Sequence, residues 1–384
     1  MLRPTRAGAA RTIKSPQGIV LARPECPRAG IRLAVKDLLD TAGLVTTYGS
    51  ILFADHVPKR TAEAVLRLEA AGYAVVAKTN LDEFAYGVTS QNPHFGTVPN
   101  PVAPGRLAGG SSGGSAAALA ADLADAALGS DSGGSIRIPA AWCGVVGFKP
   151  TFGLVPTDGC FPLAPTYDHV GPMARTVDDC MAMMRALAAD FDAPPLESLE
   201  ELRVGVAWLD ECDPLVRERV AAAAALFPRT RTVEFPFPDR AEGALFMREV
   251  ADVHRGLFPE HADAYGEDVR ARLERCLAVT DAEAEAGARA RAAYRERAAE
   301  AVERFDLLVT PTIAFVAPPD DTDGRAVLRR AIRFTDAFDS LGWPALALPC
   351  GAAEGGLPAS VQLVGRAGDD ARVLAAGRLL ASLV

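Results

Sequence analysis

Two clusters of glycine and serine near the middle of the chain constrain its fold more than any other feature. They lie at residues 109–115 (GGSSGGS) and 132–135 (SGGS), and an Ala- and Leu-rich apolar stretch joins them. Glycine allows close backbone approach and positive φ, so each cluster can form a tight loop whose N–H groups point into one small space. Such loops bind anions or stabilise a developing oxyanion. Because both clusters also supply serine hydroxyls, the pair indicates acyl-transfer chemistry.

The segments before the first cluster alternate between strand and helix patterns. Apolar runs at 31–35 and 73–77 predict two strands, and the helical spacing over 61–71 predicts a helix with Thr61 as its N-cap. Lys36 and Asp37 follow the first strand directly, and ligands bind at that end of strands in open α/β sheets.

The clusters themselves lie at the ends of predicted elements. The first opens a helix predicted over 112–123, and a buried strand predicted over 126–129 leads into the second. Similar alternation continues to the C-terminus. It predicts an α/β fold with a large, mostly parallel or mixed sheet between layers of helices.

The length of 384 residues is compatible with one large α/β domain. We assign residues 31–384 to that domain. Residues 1–30 are rich in Pro and Arg, and we expect them to form a poorly structured N-terminal arm.

Composition argues against several classes of protein. A net charge of −9 and a pI near 5.2 make nucleic acid or an anionic membrane an unexpected partner. Asp122 and Asp125 interrupt the most apolar stretch, and the N-terminus has no apolar signal-peptide core. The seven Cys are scattered and include no CxxC, which is typical of buried thiols in a reducing compartment. We therefore expect a cytoplasmic protein.

A serine nucleophile needs a base, and the residues alone leave the choice open. The pattern GxSxG at 109–113 would place Ser111 on a nucleophile elbow, with His254 or His261 as base. Both histidines lie in polar, helix-like segments, where we expect exposure to solvent. Lysine is the other candidate, since burial lowers its pKa. Lys36 and Lys78 each follow an apolar strand, and composition does not distinguish between them.

A family resemblance resolves the choice. The run GGSSGGS, followed by GSDSGGSIRIPAAWCGVVGFKPTFG, closely resembles the signature of the amidase signature family. Other segments resemble landmarks of that family in the same order: AVKD at 34–37, AKTNLDEF at 77–84, FGTVPNP at 95–101, GPMARTVDD at 171–179, DLLVTPT at 306–312, and LPCG with GLPASVQLVG near the C-terminus. The first 30 residues and a variable region at about 196–304 lie outside the resemblance.

The resemblance implies a Ser-Ser-Lys triad within a single amidase domain. Lys36 matches the catalytic lysine, Ser111 the bridging serine on a cis peptide bond, and Ser135 the nucleophile. Ser111 and Ser135 are 24 residues apart, as the family pattern requires. No metal and no cofactor are implied.

The resemblance also assigns roles to residues around the triad. The N–H groups of one loop are expected to surround the oxyanion: Ser132, Gly133, Gly134 and Ser135. Ser112, Asp131 and Arg137 match positions that support the triad and its loops.

The implied activity is hydrolysis of a small-molecule amide to a carboxylic acid and ammonia or an amine. An alternative is the glutaminase component of a tRNA-dependent amidotransferase, which passes its ammonia to a partner protein. A third is a non-catalytic binding relative, against which the intact Lys36, Ser111 and Ser135 argue. The expected partner is a small-molecule amide, with a homodimer left open.

Overall fold

The computed structural model describes residues 18–26, 28–189, 191 and 196–384. Its strands are β1 (Val20–Ala22), β2 (Ile31–Lys36), β3 (Tyr73–Thr79), β4 (Gln91–Asn92), β5 (Gly96–Thr97), β6 (Ala126–Asp131), β7 (Val146–Lys149), β8 (His169–Ala174), β9 (Val204–Val206), β10 (Thr230–Thr232), β11 (Leu307–Pro311), β12 (Ala345–Ala352) and β13 (Pro358–Val364). Eleven of these strands form one sheet in the order β1-β3-β2-β6-β8-β7-β12-β13-β11-β9-β10, and β4 pairs with β5 separately.

Helices cover both faces of this sheet. They are α1 (Glu63–Ala70), α2 (Gly113–Ala120), α3 (Arg137–Cys143), α4 (Val177–Leu187), α5 (Pro214–Ala225), α6 (Gly243–His254), α7 (Phe258–His261), α8 (Glu267–Leu277), α9 (Asp281–Ala301), α10 (Gly324–Ile332), α11 (Asp336–Leu341) and α12 (Asp370–Ala381). None of the helices in the described part of the chain is long and apolar enough to cross a membrane.

The alternation of side chains along β2 shows how the layers are built. Leu33 and Val35 pack in one apolar cluster with Val65 of α1 and residues of α4, whereas Ala34 packs in another cluster with the alanines of α2. Successive side chains of a strand point to opposite faces, so this strand is buried on both sides. The predicted α/β fold, a mixed sheet between layers of helices, is confirmed.

The parallel strands at the centre of the sheet bring the functional loops together. β2 runs parallel to both β3 and β6. The C-terminal ends of β2 and β6 therefore lie at the same edge, where Lys36 closes β2 and Asp131 closes β6.

Two local predictions fail. Helix α1 has Ala62 as its N-cap with no side-chain cap, because the hydroxyl of Thr61 accepts the N–H of Ala42 instead. Within the predicted N-terminal arm, Val20–Ala22 forms an edge strand antiparallel to β3, so the arm is ordered there. Residues 1–17 lie outside the described part of the chain, and the division at residue 30 stays a prediction.

Candidate active site

Lys36 lies at the bottom of the candidate site, with its side chain completely buried. A hydrogen bond of 2.7 Å joins its Nζ to Ser111 Oγ, and Nζ donates a second bond of 2.9 Å to Ser130 Oγ. Burial disfavours the charged ammonium and lowers the pKa of Lys36 to about 8, against the opposing influence of nearby acidic groups such as Asp82. An amine with such a pKa can take up a proton near neutral pH.

Ser111 is carried by the loop that leads into α2. The peptide bond between Gly110 and Ser111 is cis, as the resemblance implied. Space for a side chain at Gly110 is absent, since a Cβ there would come within 2.0 Å of Asp82 Oδ2 and 2.8 Å of Ser90 N. The loop is thus held against the segment that follows β3.

Ser135 follows the second glycine cluster and is 7% exposed. The N–H of Ser112 donates to the carbonyl oxygen of Ser135 at 3.1 Å, and Ser112 Oγ donates to the carbonyl oxygen of Ser130 at 3.1 Å. Ser112 therefore ties the two glycine loops together, which agrees with its predicted supporting role. The predicted triad residues are gathered at one edge of the sheet.

The turn at 132–135 offers fewer N–H groups than the sequence predicted. The Gly134 N–H donates to Asp131 Oδ1 at 2.5 Å, so the expectation that it is free to bind an oxyanion is wrong for this geometry. Among the described residues, no acceptor takes the N–H groups of Ser132, Gly133 and Ser135. These three donors are the ones available to a developing negative charge.

Asp131 and Arg137 form a buried ion pair beneath this turn. Arg137 donates from Nε to Asp131 Oδ2 and from Nη2 to Asp131 Oδ1, both at 3.0 Å. It also donates to Asp339 Oδ2 at 2.6 Å and Gln362 Oε1 at 2.8 Å. Burial opposes ionisation of Asp131, but the charge of Arg137 outweighs it and holds the pKa of Asp131 below its usual range. The pair thus fixes the turn to α3 and to the C-terminal part of the sheet.

We expect Asp131→Asn to destabilise the fold by about 3–5 kcal/mol, the cost of breaking a buried ion pair. The asparagine would turn an amide N–H₂ group toward the guanidinium of Arg137 or toward the turn. Urea unfolding measures the effect. Asp125→Asn is the control, because it removes a bidentate partner of Arg32 whose side chains are 42% and 38% exposed, and it should cost far less. Equal losses in both variants would contradict a special role for Asp131.

The alternative bases suggested by the sequence lie elsewhere. Lys78 is buried but donates to Thr46 Oγ1 and the Leu39 carbonyl, and its Nζ lies 3.2 Å from Asp37 Oδ1. His254, expected to be exposed, is completely buried, and its Nδ1 bonds to Tyr265 OH at 3.1 Å. Neither side chain contacts a serine of the glycine clusters.

Sequence reasoning missed four polar residues of the site: Ser130, Asp168, Thr335 and Asp339. Ser130 could have been found, because it precedes the second cluster by two residues at the end of a predicted strand. The other three lie far along the chain and carry no local signal.

A cavity of about 330 Å³ adjoins this site. Its wall reaches the Gly110–Ser111 peptide bond through Asp82 and Thr89. It carries charges of both signs, with guanidinium groups from Arg272 and Arg325 and several carboxylates, among them Asp268. Such a cavity has the size expected of a small-molecule site.

The fold and the two glycine loops define an α/β enzyme built for acyl chemistry, and comparison with known proteins identifies its family. The model of the amidase family matches residues 9–374, so the chain belongs to that family. Its relatives are amidases and components of amidotransferases, and the chain is accordingly an enzyme that cleaves amide C–N bonds.

Individual relatives are of two kinds. The chain is 39% identical to the glutaminase-type component of the glutamyl-tRNA(Gln) amidotransferase of Thermus thermophilus, over 92% of this chain and 84% of the relative. Among solved structures, it is similar to an amidase with a TM-score of 0.83 and 37% identity, over 92% of this chain and 84% of that one. It is also similar to an s-triazine catabolic enzyme from a vestigial protein complex, with a TM-score of 0.85, 30% identity and the same coverage of 92% and 84%.

Proposed function

We propose that this enzyme hydrolyses a carboxamide through an acyl-enzyme on Ser135, with Ser111 and Lys36 relaying the proton. The observation that carries the proposal is the 2.7 Å hydrogen bond between Lys36 Nζ and Ser111 Oγ in a fully buried setting. It couples a base of lowered pKa to a hydroxyl on the loop that adjoins Ser135.

In the proposed reaction, neutral Lys36 accepts the proton of Ser111 while Ser111 accepts that of Ser135. Ser135 Oγ attacks the amide carbon, and the N–H groups of Ser132, Gly133 and Ser135 stabilise the oxyanion. Ser111 then returns a proton to the leaving nitrogen as the C–N bond breaks. Water hydrolyses the acyl-enzyme by the same relay, releasing the acid and restoring Ser135.

For the substrate, the curated relatives favour glutamine. The glutaminase of an amidotransferase was the second interpretation of the sequence, and the names of the relatives support it better than the free-standing amidase. The mixed charge of the cavity fits this substrate class, since a guanidinium such as Arg272 suits an α-carboxylate and a carboxylate such as Asp268 suits an α-ammonium. In this interpretation the released ammonia passes to a partner protein.

A free-standing small-molecule amidase is the second candidate. It is favoured by the similarity to a solved amidase at 37% identity and to an s-triazine catabolic enzyme at 30%. Both candidates use the same chemistry and differ in acyl group and partner.

A substrate panel distinguishes them. The purified chain is assayed for ammonia release from L-glutamine, acetamide, benzamide and a ureido compound, alone and with proteins that co-purify with it from its source organism. Glutamine-dependent ammonia release that a co-purified protein enhances supports the glutaminase. Turnover of other amides by the chain alone, with glutamine inert, supports the small-molecule amidase. A folded chain that turns over none of them contradicts both.

The proposed base makes the rate depend on pH in a defined direction. Because Lys36 must be neutral and its pKa lies at about 8, kcat/KM should rise with pH and level off above that value. Well below it, the rate should fall about tenfold per pH unit. A profile of kcat/KM from about pH 6 to about pH 10 tests this. A rate that stays flat through pH 8 would contradict Lys36 as the base.

A further inference from the structure

The hydroxyl of Ser132 has an unusual partner. Ser132 Oγ donates to Asp168 Oδ1 at 2.6 Å, in a loop that immediately precedes β8. The same carboxylate accepts the N–H of Leu163 at 2.9 Å and the N–H of Ala164 at 3.1 Å. Asp168 therefore joins the first residue of the oxyanion turn to a loop that is closed on itself.

That loop is in turn anchored by helices of the variable region. Glu249 of α6 accepts the N–H of Thr166 at 2.8 Å and also its hydroxyl. Arg291 of α9 donates to Thr166 Oγ1 at 2.7 Å and to the Thr166 carbonyl at 2.8 Å, and its guanidinium lies 3.8 Å from the centre of the Tyr167 ring. The loop is held by several charge-assisted hydrogen bonds, so Asp168 stands on a rigid support.

Packing does not hold Ser132 in place. A cavity of about 70 Å³ lies beside it, lined also by Ser130, Cys160 and Asp168. A side chain with empty space on one side lacks the contacts that fix a rotamer in a dense core. The hydrogen bond to Asp168 is thus what fixes the orientation of Ser132.

The other residues of the turn have their own attachments. Thr335 Oγ1 donates to the Gly133 carbonyl oxygen at 2.7 Å, and the Gly134 N–H donates to Asp131. A side chain at Gly134 is excluded, because a Cβ there would come within 2.3 Å of Thr335 Oγ1. Ser132 is the end of the turn that these contacts leave unattached.

We propose that Asp168 is a positioning residue for the reaction, which aims the Ser132 N–H at the oxyanion by holding the Ser132 hydroxyl. This inference rests on the proposed function, in which the turn stabilises the acyl-transfer transition state. Asp168 touches no reacting atom and acts only through Ser132.

The test uses Ser132→Ala, Asp168→Ala and the double variant of the full chain. Ser132→Ala keeps the backbone N–H and loses only the attachment. Labelling of Ser135 by a fluorophosphonate is the readout, because it needs no knowledge of the substrate and forms an oxyanion-like adduct. Each single variant should be labelled roughly tenfold more slowly, less than the loss of a whole oxyanion donor. The double variant should be no slower than either single variant, because both remove the same attachment.

Two further variants separate positioning from general destabilisation. Ser132→Thr keeps a hydroxyl and should restore most of the labelling rate. Asp370→Asn is the matched control, since Asp370 is also buried and accepts the N–H of Thr151 at 2.8 Å together with its hydroxyl, on α12. It should lower the melting temperature without slowing labelling.

The outcomes are distinguishable from failure of the proposed function. Continued labelling of Ser135→Ala at the same rate would overturn the proposed function itself. If Ser135→Ala is not labelled but Ser132→Ala reacts at the wild-type rate, only the role of Asp168 is overturned. Additive losses in the double variant, or an equal loss in Asp370→Asn, would also overturn it.

Discussion

Ser135→Ala should abolish amide hydrolysis, with a loss in kcat of roughly 10⁵ or more, as when the nucleophile of a serine hydrolase is removed. The loss is expected because Ser135 supplies the oxygen that bonds to the acyl group, and the relay from Lys36 through Ser111 then has no proton to accept. Ammonia release and intact-protein mass after fluorophosphonate treatment measure the two consequences. The wild-type chain should gain one adduct, and the variant none.

A matched control is available on the other side of the sheet. Ser360 is also buried, and its hydroxyl donates to the Leu348 carbonyl at 3.2 Å and bonds to Thr312 Oγ1. Ser360→Ala should keep both activity and labelling. An adduct found by peptide mapping on Ser111 or Ser132 would move the nucleophile and refute the assignment of Ser135.

The central part of the site was accessible from sequence because it is local. Glycine and serine clusters encode their own loop geometry, and the strand that ends at Lys36 is short and uniformly apolar. The parallel pairing of β2 and β6 then places the two ends together. The family resemblance added the assignment of roles, which composition had left open between Lys36 and Lys78.

Residues whose roles depend on tertiary contacts escaped prediction. Asp168, Thr335 and Asp339 approach the turn from loops and helices that are distant in sequence, and no spacing pattern marks them. Thr61 failed as a cap because a partner from another segment, Ala42, uses its hydroxyl.

His254 was misjudged for a different reason. The polar residues around it suggested exposure, but the burial of α6 follows helical spacing, with Val250 and His254 buried four residues apart on one face. One face of a helix can be dry while the neighbouring residues in sequence are solvated. Spacing rather than local polarity was the signal to use.

Lys36→Ala should reduce kcat by roughly 10²–10⁴, the usual contribution of general acid–base catalysis. With the side chain removed, Ser111 has no base within reach, because the remaining described partner of this hydroxyl loop, Ser90, only donates to the Ser111 carbonyl oxygen. The variant should also lose the rise in rate near pH 8 that the wild-type chain is expected to show. Stopped-time ammonia release across the pH range measures both effects.

Lys36→Arg is the control that separates charge from base. The guanidinium keeps hydrogen-bond donors and a positive charge but does not deprotonate in a protein. If neutral Lys36 accepts the proton, the arginine variant should be as inactive as the alanine variant even where the cavity accommodates it. If Lys36 acts only as a fixed positive charge that orients Ser111 and Ser130, the arginine variant should recover much of the lost rate and the pH dependence of the wild-type chain should lie elsewhere. Because fluorophosphonate labelling of Ser135 also requires removal of its proton, both variants should be labelled slowly, and rapid labelling of either one would refute the relay.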